Sequence, residues 1–133
     1  FRGLLNSGAT ERVMPYIAYY SSRRLLGDHV PYPVEAWPEG NQRHLAAESG
    51  LYCRVITEGL FGITPVGLNK FEISPRLPEG WNNMKLKNIK AFGKIFDIEV
   101  ARNGKITEVT VIENGKVVFK EEFKGDTPLT VTL

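Results

Sequence analysis

The sequence predicts an α+β fold, with two long helices followed by an antiparallel β-sandwich or meander of about six strands. Across the first 63 residues, apolar residues recur every three or four positions, which is the spacing of an amphipathic helix. After Thr64, apolar and polar residues alternate, as they do in half-buried strands. Asn103-Gly104 and Asn114-Gly115 separate alternating runs, and Asn-Gly is a strong hairpin signal. Helices and strands segregated along the chain indicate α+β rather than α/β.

The first helical pattern begins near Thr10 and ends at Gly27, which is a good C-terminal stop. Pro15 is expected near the first turn, where proline is tolerated. The preceding segment, residues 1–9, contains Gly and Ser and is predicted to be extended. The helix also carries three tyrosines that are expected to pack rather than bind ligands: Tyr16, Tyr19 and Tyr20.

The second helical pattern runs from Gln42 to about Leu60, and Asn41 is its predicted N-cap. Its apolar stripe is wide, so the helix is expected to be buried on most of its circumference. Cys53 is therefore predicted to be a buried small apolar residue rather than a nucleophile. Gly50 costs about 1 kcal/mol relative to Ala in a helix, so a close approach of another backbone is expected there. Glu58, near the helix end, is expected to form ion pairs.

The strand-like runs begin after the second helix and continue to the end of the sequence. They are Phe71–Ile73, Met84–Ile89, Lys94–Ala101, Ile106–Ile112, Lys116–Phe123 and Leu129–Leu133. Strand alternation places Val117, Phe119 and Phe123 on one face. We therefore divide the chain into a helical segment, residues 1–63, and a β-sandwich domain, residues 64–133. A helix pair that is apolar on most sides needs a sheet, further helices or another chain to cover it.

Composition excludes several classes of function. The net charge is only +2 over 133 residues and the basic residues are dispersed, so no nucleic acid partner is expected. No apolar run approaches the roughly 18 residues of a membrane span. The single cysteine excludes an intrachain disulfide, and two histidines without matching spacing predict no metal site. No phosphate-binding glycine motif or nucleophile elbow is present, and no cofactor is expected.

The segment between the helical patterns, Gly27–His44, has the features of a functional loop. Loops longer than about 12–15 residues are usually functional or disordered, and the aromatic content of this one argues against disorder. Pro31 and Pro33 bias the residues before them towards extended conformations, so the loop is expected to be stiff.

Glu35 lies in this loop near Tyr32 and Trp37, whose rings are suited to packing against a pyranose. Apolar surroundings raise a carboxyl pKa, which suits general acid or base chemistry on a sugar. The residues by themselves favour a surface or helix-capping role for Glu35, and a capping role for Glu39. His44, at the start of the second helix, is suited either to hydrogen-bonding a substrate hydroxyl or to a structural role.

The order of these parts resembles the C-terminal end of the six-hairpin, (α/α)6-barrel glycosidases. That clan includes α-L-rhamnosidases, inverting α-L-fucosidases and disaccharide phosphorylases. Its last barrel helix often ends in a glycine-hydrophobic-glycine-isoleucine turn, as in Gly59–Ile63. An isoleucine-x-proline-x-leucine-proline-x-x-tryptophan segment then leads into a terminal β-sandwich, as in Ile73–Trp81. The resemblance covers most of residues 10–133, and Ile73–Trp81 is its most specific part.

The resemblance implies that residues 1–63 are the last hairpin of the barrel and that the substrate is a carbohydrate. By position, Glu35 is similar to the catalytic general base, although Val34 stands where those enzymes usually carry a tryptophan. The remaining residues implied to bind substrate are Trp37, His44, Tyr32 and Glu39. Most such enzymes invert, and their general acid comes from an earlier hairpin that this sequence does not contain.

The resemblance therefore implies a C-terminal fragment of a glycoside hydrolase that acts on oligo- or polysaccharides and is inactive alone. Its partner would be the N-terminal barrel region or another chain that covers the helices, and its location periplasmic or secreted. The alternative is a non-catalytic carbohydrate-binding or structural interaction module, in which the loop aromatics hold glycan without chemistry. Phe1 is not an initiator methionine and no signal peptide is visible, so a piece or a mature product is expected.

Overall fold

The computed structural model describes residues 1–24 and 46–133, with helices first and antiparallel sheets after them. The α+β class is confirmed. The chain divides into two compact units, a helical unit Phe1–Leu60 and a sheet unit Phe61–Leu133, each of which is described separately below. Within the described ranges, no helix is both long and apolar enough to cross a membrane.

The helical unit begins with a short helix where the sequence predicts an extended segment. Its elements are α1 (Arg2–Asn6), α2 (Thr10–Arg24), α3 (Ala46–Arg54) and a π-helical segment (Val55–Leu60). Gly8, with φ of +79°, ends α1, and the amide of Ala9 donates to the Leu4 carbonyl oxygen at 2.9 Å. This left-handed glycine makes the turn into α2 possible. Pro15 is the sixth residue of α2 and not in its first turn, so that prediction is wrong.

The prediction of two long helices is also wrong. Helix α2 has 15 residues, but α3 has only nine before the chain changes to π-helical geometry at Val55. A Cβ atom placed on Gly59 of the π-helical segment would lie 2.5 Å from Cδ1 of Leu5. The segment thus brings its backbone against α1 where a side chain would not fit. Single π-helical turns of this kind interrupt helices at specific packing contacts.

A small apolar core holds the helical unit together. Its buried side chains are Leu5, Val13, Ile17, Val55 and Leu60. Cys53 and Gly50 of α3 are exposed, and nothing lies within 4 Å of a Cβ built on Gly50. The predicted burial of Cys53 and the predicted close approach at Gly50 are therefore wrong. Val55, the first residue of the π-helical segment, is buried, and Cys53, two positions earlier, points to the opposite side of the helix.

The sheet unit contains seven strands, one more than predicted. They are β1 (Thr64–Gly67), β2 (Lys70–Ile73), β3 (Asn83–Ala91), β4 (Lys94–Asn103), β5 (Ile106–Glu113), β6 (Lys116–Phe123) and β7 (Leu129–Thr132). One sheet has the order β1-β2-β7 and the other is the meander β3-β4-β5-β6, with all pairs antiparallel. Strand β1 was missed because it is short, fully exposed and contains Pro65, which is confined to sheet edges.

Two of the three hairpins in the meander follow from their turn residues. Asn114 and Gly115 both have positive φ, at 51° and 74°, which is the type I′ turn expected of Asn-Gly. In the other, Asn103 pairs with Ile106, so the loop is Gly104-Lys105 with the glycine first. Both predicted hairpins are confirmed. In the Asn103-Gly104 hairpin, the two loop residues are Gly104 and Lys105, one position later than predicted.

The third hairpin has no turn signal in the sequence. Phe92 and Gly93 connect β3 to β4 with φ of 56° and 72°, a type I′ geometry that disfavours phenylalanine. The Phe92 ring is stacked on Phe71 of β2, with centroids 6.0 Å apart and planes within 7°. The phenylalanine is therefore retained for its packing against the other sheet, in spite of the backbone conformation that it must adopt.

Both sheets contribute to the core of the sheet unit. The ring of Phe71, which is fully buried, also stacks on Phe96 of β4 at 5.8 Å. The other buried apolar side chains on the strands are Ile73, Met84, Ile98, Val100, Val109, Val111 and Val131. Phe119 of β6 pairs with Val111, but Val117 pairs with Ile112, so Val118 is an extra residue that forms a β-bulge. Because of this bulge, Val117 and Phe119 lie on opposite faces of the sheet. The prediction that Val117 and Phe119 share a face is wrong for that reason.

A glycine-dependent contact connects residue 62 to the segment that follows β2. Gly62 has φ of +63°, and its carbonyl oxygen accepts a hydrogen bond from the Ser74 amide at 3.2 Å. A Cβ atom at Gly62 would lie 2.2 Å from the Ser74 carbonyl oxygen. Since that obstruction is backbone, it is removed only by moving the chain.

We expect Gly62→Ala to lower the free energy of unfolding by at least about 2 kcal/mol, because backbone strain and the clash with Ser74 add. The matched control is Gly50→Ala, where open space and helical geometry predict a gain of about 0.5–1 kcal/mol. Urea denaturation followed by circular dichroism measures both. Equal effects of the two substitutions would contradict the close contact at Gly62.

Candidate functional site

The residues predicted to form the sugar site lie outside the described residues. These are Tyr32, Glu35, Trp37, Glu39 and His44, all between the end of α2 and the start of α3. Their roles stay predictions. The described residues that bracket this segment are the C-terminal half of α2 and the first turns of α3, and these can be examined atom by atom.

A tyrosine and a serine connect α2 to α3 beside the segment. The hydroxyl of Ser21 in α2 forms a short hydrogen bond with the hydroxyl of Tyr52 in α3. The Ser21 hydroxyl also donates to the carbonyl oxygen of Ile17 at 2.8 Å, and the Tyr52 hydroxyl lies 3.4 Å from the same oxygen. The Tyr20 and Tyr52 rings stack with centroids 4.7 Å apart and planes at 21°. These contacts therefore hold together the two helices that flank the candidate loop in the sequence.

The stacked tyrosines form one wall of a small cleft of about 150 Å³. Phe1 meets Tyr20 edge to face, with centroids 6.1 Å apart. The lining residues are Phe1, Tyr20, Leu51, Tyr52 and Val55. An apolar cavity of this volume can accept a single small ring, so the cleft is suited to one aromatic or aliphatic group.

A larger cleft of about 420 Å³ lies between α1 and α2. It is lined by Phe1 and Leu4 on one side and by Arg12 and Tyr16 on the other. Its volume is within the range of small-ligand sites, which are mostly apolar with a few polar groups. Neither cleft is lined by a described carboxylate or imidazole, so among the described residues both offer binding surfaces rather than acid–base chemistry.

Two tyrosines of α2 face solvent. Tyr16 and Tyr19 are each 59% exposed, whereas Tyr20 is stacked. The expectation that all three pack is therefore right for Tyr20 and wrong for the other two. Val13 and Ile17 define the buried face of α2, and helical spacing places Tyr16 and Tyr19 away from it. Arg12 and Tyr16 are four residues apart and therefore share a helix face, which is the only sequence signal for the larger cleft among its described lining residues.

Glu58 forms the ion pairs expected of it. Its carboxylate accepts hydrogen bonds from Arg54, one of them at 3.0 Å, and it also pairs with Arg2 of α1. The hydrogen bond from Arg54 is the largest cause that lowers the pKa of the Glu58 carboxyl below its ordinary value. Partial desolvation opposes that shift, and the charge of Arg2 adds to it. The pairs connect α1 to the π-helical segment.

The described residues contain no group of three or more His, Cys, Asp or Glu that could hold a metal ion. No protein-family model, curated protein or solved structure matches this chain. The functional assignment therefore depends on the residues themselves and on the resemblance noted in the sequence.

We expect Tyr52→Phe to lower the free energy of unfolding by about 0.5–1.5 kcal/mol, because it removes one hydrogen bond and keeps the ring stack. Ser21 retains the Ile17 carbonyl as acceptor, so no orphaned group adds to the loss. Tyr19→Phe removes a hydroxyl from an exposed ring and should change stability by less than about 0.5 kcal/mol. Chemical denaturation measures the free energy of unfolding of both variants. If Tyr19→Phe destabilised the protein as much as Tyr52→Phe, the hydrogen bond between Ser21 and Tyr52 would not be the cause of the Tyr52 effect.

The pKa of Glu58 predicts a pH dependence of stability. Because its folded-state pKa lies below the ordinary value of 4.5, the ionised carboxylate stabilises the fold above that value. The contribution is lost as the pH falls through the folded-state pKa. Glu58→Gln should therefore be less stable than the unsubstituted chain at pH 7, and the difference should be smaller at pH 3.

The Glu58 difference is expected to be small, since solvent screens partly exposed pairs. Urea denaturation at the two pH values measures it, and repeating the pH 7 measurement in 1 M NaCl should reduce it. A difference that is the same at both pH values would show that charge is not its cause.

Proposed function

We propose that this chain is the C-terminal part of a glycoside hydrolase with an (α/α)6 barrel. The helical unit would be the last hairpin of that barrel and the sheet unit its terminal β-sandwich. Substrates would be oligo- or polysaccharides, cleaved with inversion in the intact enzyme. The 133 residues alone would not turn over substrate, since the general acid belongs to an earlier hairpin.

One observation supports this proposal most directly. Four large apolar or aromatic side chains of the helical unit are exposed to solvent, namely Phe1, Tyr16, Tyr19 and Leu51, and Phe1 and Tyr16 line the same cleft. Clustered exposed apolar side chains usually mark a surface that another element covers. The 420 Å³ cleft lies beside Tyr16 and enlarges that surface. Further barrel helices that pack on α2 would cover both.

Five residues of the candidate loop have roles in this proposal. Glu35 would act as general base and activate water for attack on the glycosidic carbon. Trp37 and Tyr32 would pack against the sugar ring, while His44 and Glu39 would hydrogen-bond its hydroxyls. In an inverting enzyme the two carboxyl groups stand about 6.5–9.5 Å apart so that water fits between them. The stacked pair Tyr20 and Tyr52 supports the proposal by fixing the helices that bracket this loop.

The second candidate function is a non-catalytic carbohydrate-binding module. The two clefts favour it, because they offer aromatic walls and, at Arg12, a guanidinium donor without any described catalytic group. Isothermal titration of the 133-residue chain with oligosaccharides separates the two candidates. Binding by the isolated chain that Tyr16→Ala or Tyr20→Ala abolishes supports the module, whereas absence of binding at these clefts supports dependence on a complete barrel.

We expect Glu35→Gln, made in a longer polypeptide that contains this chain, to lower kcat for glycoside hydrolysis by about 10²–10⁴-fold, the usual contribution of a general base. The matched control is Asp28→Asn, which removes a carboxylate from the same loop and to which we assign no catalytic role. Its kcat should change less than threefold. Reducing-sugar release from a panel of glycosides measures both.

Two results would contradict the proposal. One is hydrolysis by the 133-residue chain alone at an enzyme-like rate, because the proposed general acid is outside it. The other is an upstream reading frame without helical hairpins, since the barrel requires several of them.

A further inference from the structure

Trp81 is an exposed aromatic side chain of the sheet unit. It is 42% exposed, in contrast to Phe71 and Phe96, which are buried. It follows the turn that begins at Pro78 and precedes β3. An exposed indole keeps much of its apolar surface in water, and surface tryptophans are frequently binding hot spots.

The turn that carries Trp81 has a fixed geometry. The amide of Trp81 donates to the Pro78 carbonyl oxygen at 3.1 Å, which closes the four-residue turn. Gly80 has φ of +78°, the conformation that the third position of a type II turn requires. Pro78, the first residue of the turn, has a restricted φ, and Gly80 supplies the positive φ that the turn requires.

Arg102 of β4 fixes the same turn from the sheet. Its Nη2 donates to the carbonyl oxygens of Leu77 and Pro78 at 3.1 and 3.2 Å. Its Nε donates to the carbonyl oxygen of Trp81 at 3.3 Å. Its own amide donates to the carbonyl oxygen of Asn82 at 2.8 Å. One arginine therefore binds the backbone on both sides of the exposed indole.

The hydrogen bonds from Arg102 thus order a turn whose tryptophan side chain is only partly packed. A planar guanidinium loses little conformational freedom for each hydrogen bond that it forms. These bonds fix the backbone that carries the indole, and a backbone ordered before binding avoids part of the entropy cost of immobilisation when a ligand arrives. The fixed turn and the exposed ring together are characteristic of a preorganised contact surface.

We propose that Trp81 is a stacking platform for the pyranose ring of a neutral glycan, with Asn82 and Asn83 hydrogen-bonding its hydroxyls. Both asparagines are exposed and directly follow the indole in the chain. Side-chain amides donate and accept, which matches sugar hydroxyls. The guanidinium of Arg102 is engaged with backbone carbonyls, so it is not available to select a carboxylate.

Trp81 and the candidate loop that contains Glu35 belong to different parts of the sequence. The choice of a sugar ring rather than a protein side chain as the ligand of Trp81 rests on the proposed function. The site itself rests on the geometry of Trp81, Arg102 and the turn, and the two can fail independently.

The test uses the full 133-residue chain carrying Trp37→Phe, so that Trp81 is the sole indole emitter. The probes are the neutral hexaoses cellohexaose, xylohexaose, mannohexaose and maltohexaose, with hexagalacturonate as the charged comparison. We expect at least one neutral hexaose to shift Trp81 emission saturably and hexagalacturonate to bind at least tenfold more weakly. Isothermal titration gives the association constants.

Two substitutions at the platform test its chemistry. Trp81→Ala should lower the association constant at least tenfold, whereas Trp81→Phe, which keeps an aromatic face, should retain part of the affinity. Far-ultraviolet circular dichroism shows whether each variant is folded, and the phenylalanine variant keeps the test valid if the alanine variant is not.

Arg102→Lys tests the positioning role, because lysine cannot reproduce the planar fork. In the Trp37→Phe background it should weaken glycan binding about three- to tenfold and lower the emission anisotropy of Trp81. A merely structural role for Arg102 would change stability and leave that anisotropy unaltered in the folded protein.

Three results would overturn the platform. They are no response to any hexaose, preference for hexagalacturonate, or full affinity in a folded Trp81→Ala variant. If Trp81→Ala made in the unsubstituted chain keeps full affinity and Trp37→Phe abolishes binding, the sugar binds at the candidate loop. The proposed function would then survive while the platform fails.

Discussion

Phe71 occupies the position on which the sheet unit depends. Its buried ring stacks on Phe92 and Phe96, which belong to the other sheet. This contact accounts for a phenylalanine in the type I′ turn between β3 and β4, where the backbone alone would favour Asn or Gly. Packing between two sheets thus decides a turn residue, because aromatic burial is worth more than the local strain that it imposes.

The helical unit depends on contacts of a different kind. Its buried core is small, and polar links complete it: the hydroxyl pair of Ser21 and Tyr52, and the carboxylate of Glu58 between two arginines. One link joins α2 to α3, and the other joins the π-helical segment to α1 and α3. These contacts leave Tyr16 and Tyr19 of α2 exposed, and we propose that further helices cover these two side chains.

The two proposed binding regions use the same chemistry in different settings. At the candidate loop, aromatic rings would accompany a carboxylate that performs the reaction. At Trp81, the backbone that carries an exposed indole is held by Arg102, and its hydrogen-bonded partners include no catalytic group.

The sequence by itself determined the α+β class, six of the seven strands and two hairpin turns. Hydrophobic periodicity and the Asn-Gly turn preference are both local signals. The sequence also identified Glu58 as an ion-pairing residue and Gly27–His44 as the candidate site, whose residues lie outside those described. Only the tertiary structure decided that α3 ends in a π-helical segment, that Cys53 is exposed and that Phe92 forms a turn. Those outcomes depend on contacts with residues distant in the chain, and local patterns do not contain them. Trp81 was visible as a motif residue, but its anchoring by Arg102 appears only when β4 is placed beside the turn.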